Sequence, residues 1–310
     1  MSNQRAPGRF RIPALMACGL LAAALVGPAQ AAQARHRHRH RAPVEKLHPA
    51  PAGEPRLGSS AVFVREEGSD SALLSRQADV ASPIASITQL MTALVVLDAR
   101  QPLDESLQIT PDDADLEKTN ASRLRVGTAL TRSDLLHLAL MSSENRAAHA
   151  LGRNYPGGLP AMVQAMNAKA SALGMQNARF VEPTGLSSDN VASPSDLALL
   201  VEAAAREPLI REYSTDPSHD VRVGRRNVAF HNTDALVHSS SWDVVVQKTG
   251  YISEAGRCLV LKAVIRGRAV VMVLLNSFGK NTRVADAVRI RRWLESRVAA
   301  QLTARVPPDA

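Results

Sequence analysis

Two sets of short apolar runs, at opposite ends of the folding part of the chain, limit its architecture more than any other feature. Ala61-Val62-Phe63-Val64 and Ala72-Leu73-Leu74 flank a polar turn at Gly68-Ser69-Asp70, the pattern of a strand pair. Far downstream, Val244-Val245-Val246, Cys258 to Ile265 and Val270 to Leu275 read as three further strands, the last two joined by a tight turn at Arg266-Gly267-Arg268. Between the two sets the apolar period becomes helical. Residues 84–100 put Ile87, Leu90, Met91 and Leu94 on one stripe. Thr131-Arg132-Ser133-Asp134 opens a helix to Met141 with capping-box character, and Leu159 to Leu173 and Ser193 to Arg206 read as two more. Residues 282–298 form a closing helix. Strands, a long helical middle, then strands and a helix predict an α+β fold. Its antiparallel sheet takes its edges from both chain ends, is flanked by helices and carries an inserted helical subdomain.

Charge divides the chain in a second way. The 310 residues carry a net +8, which invites a nucleic-acid reading. Arg5, Arg9 and Arg11 supply three of those charges, and residues 32–57 supply a net four, so the rest of the chain is nearly neutral. With aromatics at only 3%, there is no basic patch with interleaved aromatic residues, and a nucleic-acid partner is not expected.

The three arginines precede an apolar stretch from Ile12 to Val26, too short for a comfortable membrane span, and then Ala29-Gln30-Ala31, a small-x-small cleavage pattern. Residues 1–31 are therefore expected to be a cleaved signal peptide that delivers the protein to the periplasm, with an uncleaved anchor as the competing reading. Leu15-Met16-Ala17-Cys18 imitates a lipoprotein site, but the apolar run continues past Cys18. Residues 32–57, rich in Ala and Pro with an Arg-His alternation from Arg35 to Arg41, are expected to form a basic disordered linker with weak membrane or wall-polymer contact. Its histidines could also bind a metal adventitiously. A globular domain is expected over 58–298 and a tail over 299–310. After cleavage Cys258 is the one remaining cysteine, so export brings no internal disulfide, and its apolar surroundings mark it as a buried core residue.

Three short motifs carry the chemistry: Ala85-Ser86-Ile87-Thr88-Gln89, Met141-Ser142-Ser143-Glu144-Asn145 and Val246-Gln247-Lys248-Thr249-Gly250-Tyr251. Acyl transfer by a serine needs a nucleophilic hydroxyl, a proton acceptor beside it and donors aimed at the oxyanion. Ser86 at a helix N-terminus is exposed to a favourable dipole, and position 89 lies one turn on along the same face. Ser143 and Asn145 are expected to bring a second hydroxyl and an amide from a loop. Lys248-Thr249 ends a strand, and Gly250 lets a substrate backbone lie close to that edge. Each motif alone occurs by chance; their order and surrounding words make the set specific.

With Pro83-Ile84-Ala85-Ser86-Ile87-Thr88 and Phe180-Val181-Glu182-Pro183-Thr184-Gly185-Leu186 added, residues 59–295 resemble the low-molecular-mass penicillin-binding proteins, and among them the D-alanyl-D-alanine endopeptidases and carboxypeptidases, with a β-lactamase-like fold. The resemblance implies a serine peptidase acting on D-Ala-containing peptidoglycan peptides, without a cofactor or metal, and inhibited by β-lactams. It assigns Ser86 as nucleophile, Ser143 and Asn145 as relay serine and substrate-binding amide, and Lys248 and Thr249 as holders of the substrate carboxylate. Gly250 falls in the substrate-binding set, and the backbone N–H groups of Ser86 and Tyr251 form the oxyanion hole. One position departs from the family pattern. Gln89 stands where the family has a lysine, and an amide cannot take the serine proton. General-base assistance is worth roughly a hundred- to ten-thousandfold. Two functions are therefore expected from this sequence: a peptidase with an unusual proton acceptor, or a pseudoenzyme that binds D-Ala-bearing peptidoglycan as a regulatory or scaffolding module. No Gly-x-Ser-x-Gly elbow supports a Ser-His-Asp triad among the scattered histidines. The basic face of the closing helix suits a membrane surface less well than its apolar face suits a sheet.

Overall fold

The computed structural model describes residues 47–114 and 122–303. The signal-like segment 1–31, the Arg-His run and Cys18 lie outside the described residues. Strand β1 (Ser59–Glu66) and β2 (Ala72–Arg76) come first, followed by β3 (Ser82–Pro83) and a 3-10 turn, Ala85–Ile87, that runs into helix α1 (Thr88–Asp98). Next are β4 (Ser106–Gln108), α2 (Pro111–Ala114), β5 (Ala129–Thr131), α3 (Arg132–Ser142), α4 (Asn145–Arg153) and α5 (Gly158–Ala172). Then come β6 (Val191–Ala192), α6 (Pro194–Ala204), α7 (Pro208–Thr215) and the hairpin β7 (Ser218–Val223) to β8 (Arg226–His231). The chain closes with β9 (Asp243–Ile252), β10 (Gly256–Ile265), β11 (Arg268–Ser277) and α8 (Thr282–Thr303).

The expected sheet is present. Five antiparallel strands lie in the order β2-β1-β11-β10-β9, so one edge comes from the start of the domain and the other from its end. Because side chains alternate along a strand, neighbouring residues enter different cores. Val260, Val271, Val273 and Leu275 face the helical body with α1, while Leu259, Leu261, Met272 and Leu274 pack under Ala287, Ile290 and Leu294 of α8. With both faces covered, these strands read as continuous apolar runs. The closing helix thus covers the sheet with its apolar stripe, as its pattern implied, and runs on to Thr303, past the expected start of the tail.

Helix α1 is the axis of the helical body. Every residue from Thr88 to Val96 is buried, so a helix that is apolar almost all round sits in the interior. Two helix starts are capped by side chains, the first as its sequence announced. The Thr131 side chain accepts from the Asp134 N–H, and Ser193 and Asp196 complete a reciprocal capping box.

The sequence reading needs three corrections. The expected linker does not reach residue 57 as a free tether. His48 donates its N–H to the Leu57 carbonyl at 2.7 Å, Trp293 Nε1 donates to the Gly53 carbonyl at 2.6 Å, and Leu57 is only 2% exposed. An apolar residue and a proline-stiffened run close over the α8 side of the sheet. Asn145 is not on a loop either, since it opens α4, which the sequence reading missed along with α7 and the β7–β8 hairpin. Nine and eight residues, respectively, give these helices too few turns for a clear period. Cys258 is buried, as expected, and burial pushes its thiol up to about 11.

Candidate active site

The three motifs meet between the β9 edge and the N-terminal end of α1. Ser86 sits in the 3-10 turn and is 8% exposed. Ala85, just before it, is held at φ 49°, a left-handed conformation that costs a non-glycine residue free energy and that only surrounding structure can maintain. That surrounding structure comes from two glycines. A Cβ on Gly185 would lie 2.0 Å from the Ala85 carbonyl oxygen, and one on Gly250 would lie 3.1 Å from the Ser86 nitrogen. The Thr184-Gly185 loop and the β9 edge therefore clamp the backbone that carries the serine, and no other residue type fits at 185.

The loop that brings Gly185 is built around one carboxylate. Glu182 accepts from the backbone N–H groups of Thr184 at 2.6 Å and Gly185 at 2.7 Å, from the Thr184 hydroxyl at 2.6 Å and from Asn190 Nδ2 at 2.6 Å. Thr92 on α1 donates to the Pro183 carbonyl at 2.6 Å and fastens the loop to the helix.

Ser143 ends α3 at φ 58°, a second left-handed non-glycine residue, which turns the chain sharply into α4 and places Asn145 on its first turn. Beneath it, buried Asp113 accepts from His149 Nδ1 at 2.7 Å and from Arg153 Nη2 at 3.0 Å, tying α2 to α4. Burial alone would raise the Asp113 carboxyl, but the bonds from His149 and Arg153, with the Thr110 N–H, bring it down to about 2.

Gln89 joins these pieces. It is fully buried, and its Nε2 donates to Asn145 Oδ1 at 2.9 Å and to the Thr184 carbonyl at 3.0 Å. Its Oε1 accepts from Ser143 Oγ at 3.4 Å. The glutamine amide thus uses both of its polar ends, linking α1 to the Ser143 corner, to α4 and to the glycine loop.

Lys248 approaches from β9. Fully buried, it donates from Nζ to Ser143 Oγ at 2.8 Å and to the Thr249 carbonyl at 3.0 Å. Burial, and secondly the Arg283 charge, push its ammonium down to about 7. Thr249 shares a 2.6 Å hydroxyl contact with Thr233, whose N–H donates to the Met141 carbonyl at the end of α3. Gln247 holds the strand from its other face, donating to the Ser214 carbonyl at 2.6 Å. Tyr251 follows and is 55% exposed.

The site residues singled out in the sequence, Ser86, Gln89, Ser143, Asn145, Lys248, Thr249, Gly250 and Tyr251, are brought together. Arg283, at the start of α8, was missed. Its Nε and Nη1 are buried without a hydrogen-bond partner among the described residues, and its charge acts on Lys248 and on buried Asp234. An unsatisfied guanidinium whose charge reaches Lys248 on β9 is chemically suited to a carboxylate. Nothing in the surrounding sequence marks Arg283, because α8 supplies arginines at several other positions. Thr184 was quoted only as part of a motif; its carbonyl turns out to fix Gln89.

Comparison with known proteins identifies the family. The chain is 48% identical over 253 residues to a D-alanyl-D-alanine endopeptidase of Pseudomonas aeruginosa, covering 80% of this chain and 82% of the relative. It is 44% identical over 247 residues to a D-alanyl-D-alanine endopeptidase of Escherichia coli, covering 79% and 80%. Among solved structures, a D-alanyl-D-alanine carboxypeptidase from Mycobacterium tuberculosis superposes with a TM-score of 0.72 at 26% identity, over 80% of this chain and 96% of that one. The family described as D-alanyl-D-alanine carboxypeptidase matches residues 49–279, and with relatives this similar over most of their length the chain belongs to it.

Proposed function

We propose that the protein is a periplasmic serine peptidase-family member that grips the D-alanyl-D-alanine end of peptidoglycan peptides and acylates slowly at Ser86. Lys248, acting through Ser143, takes the place of a base at position 89. The observation that carries this reading is the buried Lys248 ammonium, pushed down to about 7, with Ser143 Oγ 2.8 Å away. A lysine near neutrality is uncharged in a useful fraction of molecules and can accept a proton. In the acylation step the Ser86 hydroxyl proton passes to Ser143 Oγ, and the Ser143 proton passes to neutral Lys248. The serine oxygen bonds to the substrate carbonyl carbon, the amide C–N bond breaks, and the leaving nitrogen receives a proton back along the same route. Thr249 and Arg283 hold the terminal carboxylate, and the N–H groups of Ser86 and Tyr251 face the developing oxyanion. A two-step relay is slower than a base one turn from the nucleophile. β-Lactams should enter by the same step.

A specific observation favours the second reading, a binding module without turnover. Gln89 spends its amide on Asn145 and Thr184, so position 89 has become a structural joint. Labelling with a fluorescent penicillin separates the two. The peptidase reading expects slow covalent labelling that disappears in Ser86→Ala. Absence of label alongside undiminished binding of a D-Ala-D-Ala peptide would leave the binding module. Export is tested separately: the mature protein should begin at Ala32.

A further inference from the structure

Beyond Tyr251 the β9 edge leads into a groove of about 630 Å³ that the catalytic reading does not use. Its walls include Tyr251, Arg257, Phe278 and Lys280, with His48 and Asn276 also lining it, and no Asp or Glu is among its lining residues. Such a volume is in the range of ligand sites. Two of the exposed large apolar side chains of the described residues, Tyr251 at 55% and Phe278 at 56%, stand here.

The groove is built rather than left over. The β10–β11 pairing shifts register between Arg257 and Leu259, an irregularity that re-aims the side chain beside it. Arg257 consequently lies with its guanidinium 4.4 Å from the centre of the Tyr251 ring. In the floor, Gly256 at φ +63° faces Asn276, itself at φ 48°, and a Cβ at 256 would come within 2.5 Å of Asn276 Oδ1. Two left-handed residues back to back shape the backbone beside Arg257, and Lys280 lines the same groove.

The direction of β9 says which part of a ligand reaches it. Lys248 and Thr249 lie on one side of Gly250, where the terminal carboxylate is placed, and Tyr251 and the groove lie on the other. A peptide along this edge with its carboxylate at Thr249 therefore sends its preceding residues toward Arg257 and Lys280. We infer that this groove is a subsite for the acidic stem of the peptide, the residues before the D-alanyl-D-alanine end, recognised through a free carboxylate and the apolar carbon beside it. The inference rests on the proposed placement of the D-Ala carboxylate.

The test measures binding to the full mature protein carrying Ser86→Ala, which prevents turnover. The probes are a stem pentapeptide with a free glutamate α-carboxylate, the same peptide with that group amidated, and a diacetylated tripeptide ending in D-Ala-D-Ala. The acidic pentapeptide should bind at least fivefold tighter than the amidated one, the scale of two partly exposed charge contacts, and added salt should narrow the gap. Arg257→Glu and Lys280→Glu should each erase most of that preference while leaving tripeptide affinity within about twofold. Equal affinity of the parent for the two pentapeptides would sink the inference. So would a loss on Arg257→Glu and Lys280→Glu that is the same for all three probes. Failure of the tripeptide itself to bind would remove the carboxylate placement too.

Discussion

The two sides of the cleft are fastened in different ways. On the helix side, Gln89, Ser143 and Asn145 are joined by neutral hydrogen bonds, and two left-handed residues, Ala85 and Ser143, set the backbone at Ser86 and at the α3–α4 corner. On the strand side, Lys248 and Arg283 are buried or half-buried basic groups, and Arg283 Nε and Nη1 have no hydrogen-bond partner among the described residues; buried Asp234 acts on Arg283 through its charge and is itself raised to about 6 by burial, against the Leu236 N–H and the Arg283 and His238 charges. Neutral amides are satisfied internally and hold a shape. A buried guanidinium with unpartnered N–H groups remains energetically unsatisfied until an anion arrives. The strand side is thus poised for a ligand, and the helix side, since it carries Gln89, for rigidity. Acylation needs both, so the comparison predicts good binding with slow chemistry.

The largest effect should come from converting the helix side. Gln89→Lys is expected to raise the rate of penicillin acylation by two or more orders of magnitude, on the general-base scale. The gain should vanish when Ser86→Ala is added. A parent that already labels as fast as the variant would erase the contrast between the two sides. Next is Arg283→Ala, which should weaken binding of a D-Ala-D-Ala peptide by about 1.5–3 kcal/mol, the loss of one charge-assisted contact, measured by calorimetry. Unchanged affinity would place the carboxylate elsewhere.

A third, smaller effect concerns pH. Lys248 accepts a proton only when neutral, and its folded value is lowered to about 7. Parent acylation should therefore rise up to about tenfold per unit below pH 7 and level off above it. Around Lys248 the charged groups are Arg283 and, acting on that arginine, Arg257 and Asp234, so ionisation of Asp234 between pH 5 and 7 is expected to shape the same limb. A flat profile would mean that Lys248 stays charged and only binds. The smallest effect is on stability. A chain beginning at residue 47 should melt within about 2 °C of the mature protein, because the contacts to Leu57 and Trp293 remain. Removing residues 47–57 as well should lower the melting temperature clearly, by exposing the surface that Leu57 covers.

The sheet and the long helices were legible because their signals are local. Continuous apolar runs such as Cys258 to Ile265 and caps such as Thr131 with Asp134 need no knowledge of the rest of the chain. The site was legible through its motifs, which fixed Ser86, Ser143 and Lys248 but not their connections. That Gln89 would reach Thr184, far away in sequence, depends on a loop whose geometry Glu182 sets by gathering N–H groups. Arg283 was hidden for the same reason: its meaning comes from β9, not from its helix. The β7–β8 hairpin was missed because its turn, Gly224-Arg225, interrupts polar strands that expose most of their residues.

Helix α1 has a consequence for how a ligand must be accommodated. With Thr88 to Val96 buried on every side and Gly185 pressed against the Ala85 carbonyl, the part of the molecule holding Ser86 has almost no compliance. Interiors packed at crystal density do not yield by fractions of an ångström without disturbing many neighbours. Whatever adjustment a bound peptide demands must then be absorbed where side chains are free to swing, around Tyr251 and Phe278, or by the peptide itself. The nucleophile acts as a fixed point, and the incoming chain bends to meet it.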